Sequence, residues 1–216
     1  MRTSERILLI LLLCDAAAWA GGAPIAGRMP KNPQVVCVYN QAGVSDRVLR
    51  DAEAYTSSVF RQLSVNLLWA DCADKDAGLN GCGNSVLDLM LYVHIIPRAL
   101  TLSQDTFGLA FLGPDGGGRY ADAFFDSIRR LQQDQSAATL SEVLGHVMAH
   151  EIGHLLLGLN AHSSTGIMQA RWSAAELRSM AMGRLVFNEG ERNKLLSRIK
   201  VQNQDEHQLT KMRATF

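Results

Sequence analysis

The stretch that decides the fold is residues 139–158, which read TLSEVLGHVMAHEIGHLLLG. Thr139 and Glu142 have the S/T-x-x-E spacing of a capping box, which marks the start of a helix. Gly158 readily takes the left-handed conformation in which many helices end. Apolar residues occupy most positions between these two ends, so the sequence predicts one long helix with apolar faces to bury.

Two histidines in this helix have the spacing of metal ligands. His150 and His154 are four residues apart, which places them on nearly the same face and about 6 Å apart along the axis. Zinc accepts imidazole nitrogen atoms, and a catalytic zinc takes three protein ligands and leaves one position for water. Glu151 can take a proton from that water and pass it to a leaving amine. We therefore predict a zinc site with Glu151 as the general base.

The third ligand has two candidates. Because Gly158 ends the helix, the chain can turn back, and His162 arrives eight residues after His154. A slightly longer loop can deliver His162 at little entropic cost. The competing candidate is Glu176 on a later helix, whose other role is to complete a capping box with Ser173. The sequence favours His162 and leaves Glu176 as the alternative.

Residues 150–168 resemble the metzincin metallopeptidases, whose motif is HExxHxxGxxH followed by a methionine turn. Residues 150–162 read HEIGHLLLGLNAH, and Met168 lies beyond them, where a methionine can form an apolar floor under the metal. The spacing departs from the family. The glycine is one residue late, His162 is two residues late, and Asn160 stands where the metzincin histidine would fall.

The resemblance implies a zinc-dependent peptidase with His150, His154 and His162 as ligands. It also implies that residues 106–112 border the cleft and pair with an extended peptide, as in an endopeptidase. With Glu176 as the ligand, the protein would instead be a gluzincin-like hydrolase. Two more interpretations stay open: a catalytically silent zinc-binding or protein-binding module on the same fold, and an amidohydrolase with the same metal and base.

The rest of the pattern predicts an α+β domain from residue 35 to residue 200. β-branched or alternating runs predict strands at 35–39, 65–69, 87–95, 106–112 and 120–128. Helices are predicted at 45–63 and 139–158, and after Ser173 and Asn188, each of which begins a capping-box pattern. This order fits a metzincin-like mixed sheet backed by two long helices, with the zinc site on the second and a small helical C-terminal subdomain.

The first 20 residues have the layout of a cleavable secretory signal peptide. Arg2 and Arg6 precede a short apolar run, and residues 18–20 form an A-x-A cleavage site. The run is too short to be a stable membrane span. We therefore expect a secreted or periplasmic protein, with an N-terminal arm at 21–34 and a polar tail at 201–216 that is loose from Gln202 onward.

Three cysteines follow the predicted signal. Export permits a disulfide, and Cys72 and Cys82 flank a short loop, which makes them the expected pair. Cys37 lies in an apolar run and is interpreted as a small buried hydrophobic residue.

Charge and length narrow the class of protein. The 216 residues suit one domain, and the 21 basic residues balance the 21 acidic ones. No block of basic residues occurs, so nothing indicates binding to nucleic acid. A polypeptide substrate is the partner that the predicted site implies.

Overall fold

The computed structural model describes residues 34–71, 90–100, 102–103 and 105–213. The predicted signal at 1–20, nearly all of the predicted arm, and Cys72 and Cys82 lie outside these residues. In the described part, no helix has both the length and the apolar character to cross a membrane.

The described strands form one mixed sheet. They are β1 (Gln34–Asn40), β2 (Leu67–Asp71), β3 (Leu91–Ile96), β4 (Gly108–Phe111) and β5 (Tyr120–Phe124). Their order across the sheet is β2-β1-β3-β5-β4. The first four strands in this order are parallel, and β4 is antiparallel to β5. The mixed sheet expected from the sequence is therefore confirmed.

The helices start largely where the sequence predicted. They are α1 (Asp46–Arg61), α2 (Phe125–Gln135), α3 (Leu140–Leu157), α4 (Ala174–Ala181) and α5 (Glu189–Arg213). The predicted capping boxes before α3 and α4 are both formed. Gly158 ends α3 with a φ of 63°, the left-handed conformation that favours glycine.

Two predictions about these elements are wrong. The strand predicted at 120–128 stops at Phe124, and the chain continues as α2. The N-cap of α2 is Phe124 without a side-chain cap bond, so the sequence carries no capping signal there. The polar tail expected to be loose is helical as far as Arg213. The regular spacing of apolar residues that predicts a helix is lost in this tail. Its Gln, Glu, Lys and Leu residues nevertheless favour a helix.

The interpretation of Cys37 is confirmed for its burial and wrong for its thiol, which is not free. Cys37 is fully buried in β1 and is disulfide-bonded, with its partner outside the described residues. An apolar run suits a buried thiol and a buried half-cystine equally well, so the sequence did not separate them.

Helix α3 is the centre of the core. It contacts α1, α2, α4, α5 and strands β3, β4 and β5. At its closest approach to α1, the carbonyl of Gly145 accepts a hydrogen bond from the Thr56 hydroxyl at 2.8 Å. A Cβ on Gly145 would lie 2.6 Å from the Ala52 carbonyl oxygen and 2.8 Å from the Tyr55 Cβ. Only glycine allows α1 to pack this closely on α3.

We therefore expect Gly145→Ala to destabilise the protein by about 1–3 kcal/mol, because the added methyl group meets backbone atoms. This cost opposes a gain in helix propensity of about 1 kcal/mol. Urea unfolding measures the result. Gly190→Ala is the matched control, since its Cβ would have only Asn188 Oδ1 as a neighbour, at 3.4 Å. Equal stability of the two variants would contradict the close helix contact.

Candidate metal centre

Three histidines converge beside α3. His150 and His154 project from the helix, and His162 lies on the loop that follows it. One ring nitrogen from each residue lies within 4.8 Å of the other two. The ring centroids of His150 and His154 are 4.7 Å apart, and His162 lies 5.3 Å and 5.0 Å from them. The triad is positioned to bind a metal ion.

Backbone carbonyls fix the orientation of the two helical histidines. The Nδ1 atom of His150 lies 2.7 Å from the Ile167 carbonyl oxygen, and that of His154 lies 2.6 Å from the Leu159 carbonyl oxygen. Because a carbonyl can only accept, each Nδ1 donates its hydrogen. Each neutral ring therefore presents an unprotonated Nε2, and these two atoms are 3.0 Å apart. Two facing lone pairs in a buried site fit a shared cation.

Burial keeps these rings neutral. It lowers the pKa of His150 to about 3, with smaller contributions in the same direction from His154 and His162. Burial also lowers the pKa of His154. Because metal binding requires neutral imidazole, His150 and His154 could bind a metal ion at neutral pH without first losing a proton.

Glu151 is buried at the base of the cleft. Burial, helped by the negative charge of Asp122, raises the pKa of Glu151 to about 8. Its side chain lies directly against Gly108, the first residue of β4, where a Cβ would be 2.6 Å from Glu151 Cγ. The absence of a side chain at Gly108 therefore gives the carboxyl group its place in the cleft.

The cleft beside the triad has a volume of about 310 Å³. His150, Glu151 and His162 are among the polar residues that line it. Phe107 and Trp172 line it and stack with ring centroids 6.3 Å apart, and Trp172 also stands edge-on to His150 at 5.7 Å. An apolar wall beside a few convergent polar groups is typical of a ligand-binding site.

Met168 is buried against the helix at Gly153, the residue before His154. A Cβ on Gly153 would lie 2.9 Å from Met168 Sδ and 2.7 Å from Phe187 Cε1. Gly153 inside the motif thus makes room for two large side chains. Their packing supplies an apolar support for this part of the helix.

Glu176 is not brought to the triad. Its Oε2 atom accepts hydrogen bonds from Ser173 N at 2.8 Å and Ser173 Oγ at 2.6 Å. It completes the capping box of α4. His146 also lies outside the triad, and its Nδ1 is 2.7 Å from the Glu142 carbonyl oxygen.

Sequence reasoning missed several parts of this site. The Ile167 and Leu159 carbonyls are backbone groups and leave no signal in a motif. Gly108 lies far from the histidines along the chain, and the packing of β4 against α3 brings it to Glu151. For Trp172 the sequence offers only a weak signal, its position shortly after Met168, since a large aromatic residue is more often part of the core.

The raised pKa of Glu151 predicts the pH response of the metal-free protein. Its value of about 8 lies above the ordinary 4.5, so the folded state holds a proton that the unfolded chain releases. Stability therefore falls as the pH rises from 4.5 through 8. Relative to Glu151→Gln, the wild type should lose on the order of 2 kcal/mol between pH 6 and pH 9. Urea unfolding in a chelator measures this difference, and parallel pH profiles would contradict it.

Comparison with known proteins adds a likeness in fold. No protein-family model matches the chain, and no curated protein sequence matches it. A zinc-dependent peptidase from Methanocorpusculum labreanum superposes with a TM-score of 0.50 and 18% identity, covering 74% of this chain and 99% of that one. The archaemetzincin from Methanopyrus kandleri gives a TM-score of 0.46 and 19% identity, covering 80% of this chain and 99% of that one. The chain thus shares its fold with a solved structure of a zinc-dependent peptidase.

Proposed function

We propose that this protein is a zinc-dependent peptidase of metzincin type whose metal ligands are His150, His154 and His162. The observation that carries the proposal is the pair of Nε2 atoms 3.0 Å apart, next to a buried glutamic acid and open to a cleft. Zinc is the metal that suits three imidazole ligands. The fold shared with a zinc-dependent peptidase supports this choice.

The chain's own residues supply the acid–base chemistry. When bound, zinc supplies a Lewis acid that activates water and polarises a carbonyl group, and its positive charge favours the ionised form of Glu151. Glu151 then accepts a proton from the attacking water and donates it to the amine that leaves. Burial keeps the proton affinity of Glu151 high, which suits the first of these transfers, the uptake of the proton from water.

The cleft favours an extended peptide and hence endopeptidase activity. Gly108 and Leu109 of β4 line it, and β4 is one of the two edge strands of the described sheet. A substrate strand can add to such an edge through main-chain hydrogen bonds. The side chain of Leu109 is partly exposed there, so it can contact the bound peptide.

We also propose that the protein is exported from the cytoplasm. The support for export in the sequence is the signal-like layout of residues 1–20. The disulfide at Cys37 gives further support, since disulfides persist mainly in oxidising compartments such as the periplasm or the extracellular medium.

The test combines zinc content with hydrolysis of casein. We expect one zinc per wild-type chain, together with cleavage. Glu151→Ala should keep the metal and lose at least about 100-fold in rate, because the general base is gone. His162→Ala should lose most of its zinc, because a ligand is gone.

Glu176→Ala is the control, since it removes a carboxylate from a capping box and not from the triad. It should keep both zinc and activity. Loss of zinc in this variant alone would assign the third ligand to Glu176. Zinc binding without hydrolysis of casein or peptides would point to a silent binding module, and a wild type without zinc would refute the proposal.

A further inference from the structure

We propose that Ser163 and Glu191 are positioning residues for the third ligand, so that the start of the last helix controls metal affinity. The inference rests on the proposed function and deepens it. Neither residue belongs to the histidine triad. They act through His162, which immediately precedes Ser163 in the chain.

The key contact joins the ligand loop to α5. The hydroxyl of Ser163 donates a short hydrogen bond to Glu191 Oε1. The other carboxylate oxygen of Glu191 accepts from Asn188 N at 2.8 Å, and Glu191 N donates to Asn188 Oδ1 at 3.0 Å. Glu191 is buried at 9% exposure, and the capping interactions hold its carboxylate in place. A fixed, buried carboxylate is a firm anchor for the serine.

The same loop is tied to the segment before α5 at a second point. Ile167 N donates to the Val186 carbonyl oxygen at 2.9 Å. Gly166, with a φ of 77°, lies so close to this carbonyl that a Cβ would be 2.7 Å from its oxygen. The Ile167 carbonyl in turn accepts from His150 Nδ1. The position of residues 163–167 therefore affects the placement of both His150 and His162.

Packing alone does not hold the His162 end of this loop. The side chain of His162 is exposed, unlike the buried rings of His150 and His154. A surface cavity of about 270 Å³ lies between the loop and the start of α5, with His162, Ser163 and Glu191 in its wall. A backbone hydrogen bond from Ser163 N to the Met168 carbonyl oxygen, at 2.9 Å, closes the loop on itself. The hydrogen bond from the Ser163 hydroxyl to Glu191 ties this end of the loop to α5.

The experiment measures zinc affinity by competition with a chromophoric chelator, which does not depend on turnover. Ser163→Ala removes the bond to Glu191 and leaves the Asn188–Glu191 capping box intact. We expect zinc affinity to fall about tenfold, the lower end of the usual loss for groups that orient a ligand. Ser163→Thr, which keeps the hydroxyl, should retain wild-type affinity.

Ser173→Ala is the matched control, because Ser173 also donates to a capping glutamate, Glu176, but is not joined to a ligand. Its zinc affinity should stay at the wild-type value. Circular dichroism and urea unfolding of the metal-free proteins check that every variant folds.

The outcomes separate this inference from the proposed function. If the wild type binds zinc and Ser163→Ala binds it equally well, the positioning role is wrong and the peptidase proposal stands. If Ser173→Ala loses as much affinity as Ser163→Ala, general destabilisation explains the loss and the positioning role is again wrong. If the wild type binds no zinc, the proposed function fails and this inference fails with it.

Discussion

The burial of helix α3 is the constraint on which the rest of the structure depends. All of its residues from Ser141 to Leu157 are buried, including the histidines and Glu151. A helix that is buried on every side needs other elements packed around its whole circumference. The sheet and the other four described helices pack against it. The side chains of His150, Glu151 and His154 therefore lie within the core, where close packing restricts their rotamers. A site on so rigid an element is positioned more accurately than one on a mobile surface loop.

This placement has an electrostatic cost. Burial disfavours the charged forms of Glu151, His150 and His154, and it leaves two imidazole lone pairs facing each other at 3.0 Å. A purely structural helix would avoid such an arrangement, because apolar side chains of similar volume would pack there without penalty. Natural sequences retain unfavourable local features mainly at functional sites. A cation bound between the rings would offset the cost, so the feature that weakens the metal-free fold is the one that favours metal binding.

Much of the fold could be predicted because the decisive signals are local. The capping box at Thr139 and the terminal Gly158 bound α3, and the alternation of Leu91, Val93 and Ile95 marks β3. Helix α2 was missed because its N-cap, Phe124, offers no capping side chain. Within the site, the motif identifies the histidines and Glu151. It cannot identify partners that reach them through tertiary packing, such as the Ile167 carbonyl, Gly108 and Glu191.

The late position of His162 follows from how this helix ends. The carbonyl that orients His154 belongs to Leu159, the first residue after Gly158. The start of the loop therefore holds the side chain of a histidine that lies on the helix. The extra residues then carry the chain outward before His162. A longer loop costs little in closure entropy, but it restrains its end less tightly, and the exposed ring of His162 reflects this. Within the loop, Ser163 N donates to the Met168 carbonyl oxygen, and the Ser163 hydroxyl ties the loop to the buried carboxylate of Glu191. If this contact restrains His162 as proposed, the last helix would contribute to the metal centre.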